Sequence, residues 1–344
     1  MIEITRGNIL EADAEALVNT VNCMGYMGKG IALQFKKAFP ENFKAYHQAC
    51  KASVVKPGSM YVFHTGNLFN PKYVINFPTK YHWRGKSRLE DINSGLSALI
   101  EEVRRLDLKS IAVPPLGCGL GGLDWEVVRP LIEKTFEAVP RVKVLLYEPA
   151  GAPEAKTMPV GTARPRLTIS RALLIKLMQQ YSELNYRLTL LEIHKLAYFL
   201  QETGQPLKLQ LSPGVYGPYA PNLNKVLECL EGHFIRGYGD TQKPDVEIGL
   251  MAGAAEEADM FLRNEQEAKL RLEKVNQVID GFETPYGMEL LSSVHWVAVH
   301  KNPPVKEPEI AIERIQNWND RKRKMFKPDH IKIAWKRLQE EGWL

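Results

Sequence analysis

The stretch ALVNTVNCMGYMGKGIALQFKKAFP, residues 16–40, joins an apolar, strand-like run to a glycine-rich loop and a basic helical pattern. Three glycines fall within the six residues from Gly25 to Gly30. Glycine lets a backbone approach a ligand closely, and a loop that opens a helix points free N–H groups at anions. A P-loop would need Gly at position 23 and Ser or Thr at position 30, and a dinucleotide fingerprint would need Gly at position 33. The stretch therefore predicts an anion-binding loop of another kind.

Length and composition set the broad class. A chain of 344 residues favours two domains, and 44% hydrophobic with 25% charged residues is typical of globular proteins. The net charge of +5 slightly favours an anionic partner. Four scattered cysteines without a C-x-x-C pair favour a reducing compartment. With no signal peptide and no apolar run of membrane-spanning length, we expect a cytoplasmic protein that does not associate with membranes.

Element patterns divide the chain near residue 150. Residues 1–150 alternate short apolar runs with helical patterns, which predicts a layered α/β domain with ligands bound beyond the carboxyl ends of its strands. Residues 151–166, within the proline-rich stretch EPAGAPEAKTMPVGTARPR (148–166), read as a linker. Residues 167–344 are predicted to be mainly helical, with long helices over 254–280 and 308–324 and a short extended pair around 233–250.

A second glycine-rich loop lies in PPLGCGLGGLDWEVV, residues 114–128. Gly117, Gly119 and Gly122 match G-x-G-x-x-G between a strand and a helix, so a Rossmann interpretation stays open. It is weakened because the preceding strand is the fifth of the domain and no acidic residue ends a strand about 20 residues later. A simple tight turn is the other alternative. Two such loops could clasp a diphosphate through backbone amides alone, without Lys or Mg²⁺.

Four stretches carry a resemblance to a known family: TRGNIL (5–10), VNTVNCMGYMGKGIALQFKKAFP (18–40), NFPTKYHWRGKSRLEDINSGL (76–96) and IAVPPLGCGLGGLDW (111–125). In order and spacing they resemble a macrodomain, most of all the DNA-directed DarG-type antitoxin branch. The resemblance covers residues 1–150. It implies a three-layer α/β/α fold with a mixed sheet that binds ADP-ribose. It implies ligand contacts from Asn8, Ile9, Thr20, Asn22, Gly28, Lys29, Gly30, Ile31, Ala32, Pro115, Leu116, Gly117, Cys118, Gly119, Leu120, Gly121 and Gly122.

Individual positions match the family unevenly. Asn22 fits the family Asn at the distal ribose, although an ordinary turn Asn is the alternative. The family's early Asp, which binds the adenine amino group, falls on Asn8, whose amide oxygen can still accept that hydrogen bond without charge assistance. Ile9 would supply a backbone contact beside it.

Lys80 fits the catalytic Lys of a related deacylating branch of macrodomains. The catalytic Asp of that branch falls on Gly121 here, and Asp124 aligns with a different position. A neutral Lys80 amine could attack the anomeric carbon, or its ammonium could protonate the leaving group. Nucleophilic attack needs a lowered pKa, which the sequence does not show. A solvated surface Lys in a loop is the alternative.

The loop TKYHWRGKSR, residues 79–88, interleaves aromatic and basic residues. Single-stranded nucleic acid prefers this mixture, so we predict DNA contacts from Tyr81, Trp83 and Arg84. An apolar rim that closes over the sugar is the alternative. The resemblance implies a substrate in which ADP-ribose is joined to thymine of single-stranded DNA by an N-glycosidic bond. We expect no cofactor. We also expect no metal site, because His295 and His300 lack the H-E-x-x-H pattern and are interpreted as ordinary helix residues.

The second half resembles another family in two stretches, EIHKLAYFLQETG (192–204) and YGPYAPNLNKVLECL (216–230). Both are similar to the Panacea, or SocA-like, antitoxin domain, which implies binding of a cognate ADP-ribosyltransferase toxin. A stripe at helical spacing is predicted to be core: Ile193, Leu196, Ala197 and Leu200. Tyr216 and Tyr219 are predicted to lie in a rigid proline-containing turn. The candidate toxin anchors are Tyr216, Tyr219, Tyr238, Trp318 and Arg321.

Three functions compete. The first is an antitoxin that releases ADP-ribose from DNA and also binds its toxin. The second is a non-catalytic reader of ADP-ribose, against which Lys80 argues. The third is a hydrolase or phosphatase acting on ADP-ribosylated protein or on free ADP-ribose derivatives, against which the aromatic and basic loop argues.

Overall fold

The computed structural model describes residues 1–149, 158–183, 187–239 and 246–344. These residues form two compact units. The first is Met1–Arg164, joined by Gly239 from further along the chain. The second contains Pro165–Tyr238 and residues 246–344. Each unit is described below by itself.

The first unit is built on a six-stranded mixed sheet, as the sequence predicts. Its strands are β1 (Ile2–Thr5), β2 (Ala16–Asn22), β3 (Tyr61–His64), β4 (Tyr73–Lys80), β5 (Ser110–Val113) and β6 (Lys143–Tyr147). Their spatial order is β1-β6-β5-β2-β4-β3. Every neighbouring pair is parallel except β3 with β4, which is antiparallel.

Helices cover both faces of this sheet. They are α1 (Gly30–Ala38), α2 (Pro40–Lys51), α3 (Leu89–Arg105) and α4 (Trp125–Phe136), and a 3-10 turn spans Ile9–Glu11. Successive strand residues point to opposite faces. Val18 accordingly packs in a core with Leu96 of α3 and Ile132 of α4, whereas Leu17 packs with Phe35 of α1. The fold is therefore the expected three-layer α/β/α arrangement.

Sheet topology brings three chain segments to one edge. Strands β2, β4 and β5 are parallel, so their carboxyl ends meet at the same side of the sheet. Asn22 at the end of β2 pairs in register with Lys80 at the end of β4. Both glycine-rich loops and the 79–88 segment leave the sheet at this edge.

Part of the predicted linker packs against the first compact unit. Its residues 151–157 lie outside the described part of the chain. Met158 is buried in the core that contains Leu17 and Phe35, and the Gly161 amide donates to the Lys37 carbonyl over 2.7 Å. The first compact unit consequently extends to Arg164 rather than ending at residue 150.

The described part of the second unit is mainly helical. Its helices are α5 (Ile169–Glu183), α6 (Leu190–Glu202), α7 (Leu223–Leu230), α8 (Ala254–Phe261), α9 (Gln266–Ile279), α10 (Pro285–Val299), α11 (Pro308–Gln316), α12 (Asp320–Met325) and α13 (Pro328–Glu340). Short strands β9 (Ile235–Arg236) and β10 (Gly249–Leu250) pair antiparallel where the extended pair was predicted. The predicted core stripe on α6 is fully buried, as expected. In the described residues of the chain, no helix is both long and apolar enough to cross a bilayer.

Three local predictions in this unit are wrong. The helix predicted over 254–280 is broken between α8 and α9, where Asn264 is a poor helix former. The helix predicted over 308–324 is broken because the Asn319 side chain accepts a hydrogen bond from the Lys322 amide over 2.8 Å and starts α12 as its N-cap. Tyr219 belongs to a β-hairpin rather than a simple turn, since β7 (Ser212–Gly214) pairs antiparallel with β8 (Gly217–Tyr219).

Candidate active site

The first glycine-rich loop runs from β2 to α1 and is held by Asn22. Its Nδ2 donates to the Tyr26 carbonyl over 2.6 Å, and its Oδ1 accepts from the Met24 amide over 2.9 Å. Tyr46, which is fully buried, donates to the Asn22 carbonyl. The Asn22 side chain therefore stabilises the loop through hydrogen bonds to its backbone. This is the role of an ordinary turn Asn, the alternative interpretation of this residue. Its second amide hydrogen stays available for a ribose hydroxyl.

The start of α1 has one of its amides engaged. The Gly30 amide donates to the Gly239 carbonyl of the same compact unit over 2.6 Å. A diphosphate at this loop would compete with that carbonyl for Gly30. The neighbouring candidates differ in burial: Ile31 and Ala32 pack against buried clusters, whereas Thr20, Gly28 and Lys29 are half-buried.

The second glycine-rich loop connects β5 to α4 and is closed by two backbone hydrogen bonds. The Gly122 amide donates to the Gly119 carbonyl and the Leu123 amide to the Gly117 carbonyl, each over 3.1 Å. Gly117 has a φ of 73°, which is why glycine stands there. Asp124 caps α4, its Oδ1 accepting from the Glu126 amide over 3.0 Å. Asp124 therefore has a structural role that explains its presence.

Other candidates in this loop contribute mainly through the backbone. The Leu116 side chain is fully buried in the sheet core, and Pro115 is half-buried. The Cys118 thiol donates weakly to the Leu116 carbonyl, and burial raises its pKa to about 11. A thiol with that pKa is a poor nucleophile at neutral pH. Gly119 and Leu120 are the exposed part of the loop.

Lys80 connects β4 to the second loop. It is the last residue of the strand rather than a loop residue, and only 9% of it is exposed. Its Nζ donates to the Leu120 carbonyl over 3.2 Å. Burial lowers the pKa of Lys80 below its ordinary value, because the ammonium loses hydration that this single carbonyl only partly replaces. The site therefore contains a partly desolvated amine beside the loop that resembles a sugar-phosphate cradle.

Gly121 has no space for a side chain. A Cβ there would overlap Ser87 Oγ and the Gly117 carbonyl oxygen. The Ser87 amide also donates to the Gly121 carbonyl over 3.0 Å. This contact explains why the Asp of the deacylating branch cannot simply be restored at position 121. Sequence reasoning missed Ser87, although it is 6% exposed and its Oγ has no hydrogen-bond partner in the described structure.

The predicted adenine contact, Asn8, begins the 3-10 turn. Its Oδ1 accepts from the Leu10 amide over 3.1 Å, so one lone pair of the expected acceptor is already used. Its Nδ2 is buried without a partner in the described residues. Ile9 beside it is buried in the core. Asn8 therefore offers an unused amide donor as well as a second lone pair.

Aromatic side chains form a wall beside the first loop. The Trp83 ring lies 6.1 Å from the Tyr26 ring and stacks on the His82 ring. The Arg84 guanidinium lies 4.5 Å from the centre of the Trp83 ring. The Tyr81 carbonyl accepts from the Cys23 amide over 2.9 Å, which ties this wall to the first loop. The Tyr81 side chain is 64% exposed. The Tyr26 and Trp83 rings are also exposed to solvent.

The toxin-anchor candidates in the second unit have separate roles. Tyr238 is only 3% exposed, so it belongs to the core. Tyr219 stacks on His194 and accepts from Asn224, while Trp318 donates to the Gly214 carbonyl over 3.2 Å. These two residues hold the hairpin.

Arg321 and Tyr216 lie together at the hairpin tip. The Arg321 guanidinium donates to both carboxylate oxygens of buried Glu289, at 2.5 and 2.7 Å. It also lies 4.6 Å above the Tyr216 ring. Tyr216 is 42% exposed, which makes it the most accessible of the five candidates.

His295 of α10 and His300, which directly follows that helix, both contact other side chains. His295 Nδ1 is 2.6 Å from the Tyr198 hydroxyl, and burial lowers the pKa of His295 to about 3. His300 pairs with Glu202 over 3.0 Å. Across the described ranges of the chain, no cluster of three or more His, Cys, Asp or Glu could hold a metal ion.

Comparisons with known proteins identify the family of the chain. The macro domain family matches residues 18–132. A DNA ADP-ribosyl glycohydrolase of Thermus aquaticus is 45% identical over 344 residues, covering 100% of this chain and 94% of the relative. A DNA ADP-ribosyl transferase-DNA ADP-ribosyl glycohydrolase fusion protein of Thermosipho africanus is 33% identical over 163 residues, 43% of this chain and 42% of the relative.

A solved macrodomain of Mycobacterium tuberculosis DarG is 54% identical, with a TM-score of 0.43, and the match covers 44% of this chain and 99% of that structure. The Thermus relative extends along the whole chain, so the relationship includes the helical half as well as the macrodomain. The chain therefore belongs to the DNA ADP-ribosyl glycohydrolase family.

Proposed function

We propose that this protein is the antitoxin of a toxin–antitoxin pair and that it hydrolyses the N-glycosidic bond between ADP-ribose and thymine in single-stranded DNA. The observation that carries the proposal is the Lys80 amine held against the Leu120 carbonyl of the second glycine-rich loop. The name and 45% identity of the Thermus relative support the DNA-directed activity.

ADP-ribose binding would rely on the backbone of the two loops. A Cβ on Gly30 would lie 3.6 Å from Leu120 Cδ1, so the loops approach each other closely. Amide groups on both sides can then bind a diphosphate without a metal ion. Adenine would lie by Asn8 and Ile9, and the distal ribose would lie between Asn22 and Lys80.

Burial favours the neutral form of Lys80, which supports a nucleophilic role. In that role Nζ attacks the anomeric carbon, the bond to the thymine nitrogen breaks, and thymine leaves with the electron pair. The adduct nitrogen releases a proton and thymine takes one up. Water then displaces the lysine and releases ADP-ribose. If Lys80 instead acts as an ammonium acid, it donates its proton to the departing base and water attacks the anomeric carbon.

Tyr81, Trp83 and Arg84 would bind the DNA strand around the modified base, by stacking and by phosphate contact. The second domain, residues 167–344, would bind the cognate ADP-ribosyltransferase toxin. The fusion of a transferase with a glycohydrolase in the Thermosipho relative supports a functional pairing of the two activities. We propose a cytoplasmic location, because the protein would meet its DNA substrate there.

A substrate panel tests this function. The protein is incubated with an ADP-ribosylated single-stranded oligonucleotide, an ADP-ribosylated protein and a free acylated ADP-ribose, and released ADP-ribose is quantified. We expect release from the oligonucleotide and little from the others. Binding of ADP-ribose without release from any substrate would support a reader, and preferential turnover of the protein or the free derivative would contradict a DNA-directed role.

A further inference from the structure

A cavity of about 510 Å³ lies beside the 79–88 segment, outside both glycine-rich loops. Its lining includes Tyr81, His82, Lys86, Arg88 and Asp91. Tyr81 directly follows Lys80 and is the residue that connects this cavity to the catalytic amine. A strand of nucleic acid that leaves Lys80 along the 79–88 segment would therefore reach this cavity next.

Two cations of the cavity are unengaged. Lys86 and Arg88 are exposed, and neither side chain forms an ion pair or hydrogen bond with any described residue. Asp91 is the single carboxylate in the lining. The charges of Lys86, Arg88 and Asp91 sum to +1. A phosphodiester, with one negative charge, is a matching ligand.

The backbone holds these cations in a fixed relation to the active site. They flank Ser87, which is buried and whose amide donates to the Gly121 carbonyl over 3.0 Å. Gly121 directly follows Leu120, whose carbonyl accepts a hydrogen bond from Lys80. Two hydrogen bonds, one from Ser87 and one from Lys80, therefore attach both segments to the same loop. Arg88 also directly precedes α3, whose positive helix end adds to the local potential.

We infer that this cavity binds the nucleotide adjacent to the ADP-ribosylated thymidine in the same strand. Lys86 and Arg88 bind its phosphate, and the Tyr81 ring stacks on its base. This inference rests on the proposed DNA substrate. It adds a specificity site that recognises the DNA strand rather than ADP-ribose, so the enzyme distinguishes a modified strand from a modified nucleoside.

The test compares two substrates. One is ADP-ribosyl thymidine, which has no flanking phosphate, and the other is an ADP-ribosylated single-stranded 12-mer. The variant is Lys86→Ala/Arg88→Ala. A matched control, Lys134→Ala/Lys143→Ala, removes two exposed charges of the same domain, one in the last turn of α4 and one at the start of β6, at the opposite end of the sheet.

We expect the cavity variant to lose about tenfold or more in kcat/KM on the 12-mer and to stay within about twofold on the nucleoside, since phosphate contacts contribute most of the sequence-independent affinity. The slope of log(kcat/KM) against log[salt] should become shallower by about 0.7, as for one lost phosphate contact on a single strand. The control should match the wild type. Tyr81→Ala should also weaken turnover of the 12-mer, by about fivefold or more.

Binding of an unmodified 12-mer, measured by fluorescence anisotropy, separates this inference from the proposed reaction. If the wild type releases no ADP-ribose but the cavity variant still binds the 12-mer about tenfold more weakly than the control, the strand site stands and the proposed reaction fails. An unchanged affinity and salt slope in the cavity variant overturns the inference. An equal loss on nucleoside and 12-mer also overturns it, because the cavity would then support the catalytic loop instead of the strand.

Discussion

The Nζ atom of Lys80 donates a hydrogen bond to the main-chain carbonyl of Leu120 over 3.2 Å, and this contact joins the end of β4 to the second glycine-rich loop. It fixes the amine beside the main chain of that loop. The position depends on the sheet, because Lys80 is the last residue of a strand and not part of a mobile surface loop.

The pH dependence of turnover distinguishes the two roles of Lys80. Burial lowers its pKa below the ordinary Lys value of about 10.4, so the neutral amine is more abundant at moderate pH than in an exposed Lys. If the amine is the nucleophile, kcat/KM rises with pH up to this lowered pKa and is then constant. The measurement is kcat/KM on the oligonucleotide from pH 6 upward. A rate that falls as Lys80 loses its proton would instead identify the ammonium as a general acid.

Gly119→Glu should abolish ADP-ribose binding without unfolding the protein. A Cβ at Gly119 meets no atom within 4 Å, so the side chain is accommodated, while its carboxylate repels a diphosphate in the same loop. Calorimetry should detect no ADP-ribose binding, and thermal melting should match the wild type. Gly119→Ala is the control that should retain binding.

Gly121→Ala, in the same loop, should destabilise the protein, in contrast to Gly119→Glu. Its Cβ would overlap Ser87 and the Gly117 carbonyl, which should cost about 1–3 kcal/mol of stability.

Micromolar ADP-ribose binding by Gly119→Glu would show that the second loop is not a phosphate cradle.

Tyr216→Ala should weaken toxin binding. Tyr216 is 42% exposed next to the exposed Val215, and Arg321 supports its ring from below. Interface energy concentrates in such aromatic anchors, so we expect a loss of about 2 kcal/mol or more, roughly 30-fold in Kd, by calorimetry with the cognate toxin. Tyr216→Phe should bind normally, and Lys80→Ala should bind the toxin as tightly as the wild type. An affinity within twofold for Tyr216→Ala removes the hairpin tip from the interface.

Lys195 should make the second domain more stable as pH rises above neutrality. It is fully buried, donates to the Pro218 carbonyl over 2.8 Å, and burial lowers its pKa to about 7. Between that value and about 10.4 the unfolded chain binds the extra proton, so the free energy of unfolding increases with pH, by up to about 1.4 kcal/mol per unit.

The comparison is between the wild type and Lys195→Met by thermal melting at pH 7 and pH 9. The wild type should gain more stability over this interval than the variant, whatever their absolute difference. Identical pH dependence would show that Lys195 keeps its proton in the fold throughout this range.

The sequence pattern predicted the features that depend on residues close together in the chain. The alternation of apolar runs and helical patterns gave the α/β layers, and glycine spacing located both loops. Asn319 carried a readable signal for the break between α11 and α12, because Asn is a favoured helix N-cap.

Contacts between distant residues were not predictable in this way. Ser87 and Gly121 are 34 positions apart, and nothing in either segment indicates that one fills the space of the other. The hydrogen bond from Lys80 to Leu120 likewise joins residues 40 positions apart, which the sheet topology brings close together. In the second unit, Lys322 is fully buried and binds Glu289 over 2.7 Å, 33 positions away.

The most direct test of the central claim is Lys80→Ala assayed for two properties with the same preparation. Calorimetry measures its affinity for ADP-ribose, and a release assay measures its turnover of an ADP-ribosylated single-stranded oligonucleotide. The account predicts ADP-ribose affinity close to the wild type and no detectable release, because the loops bind and Lys80 supplies the chemistry. Turnover by Lys80→Ala at a rate near that of the wild type would contradict it.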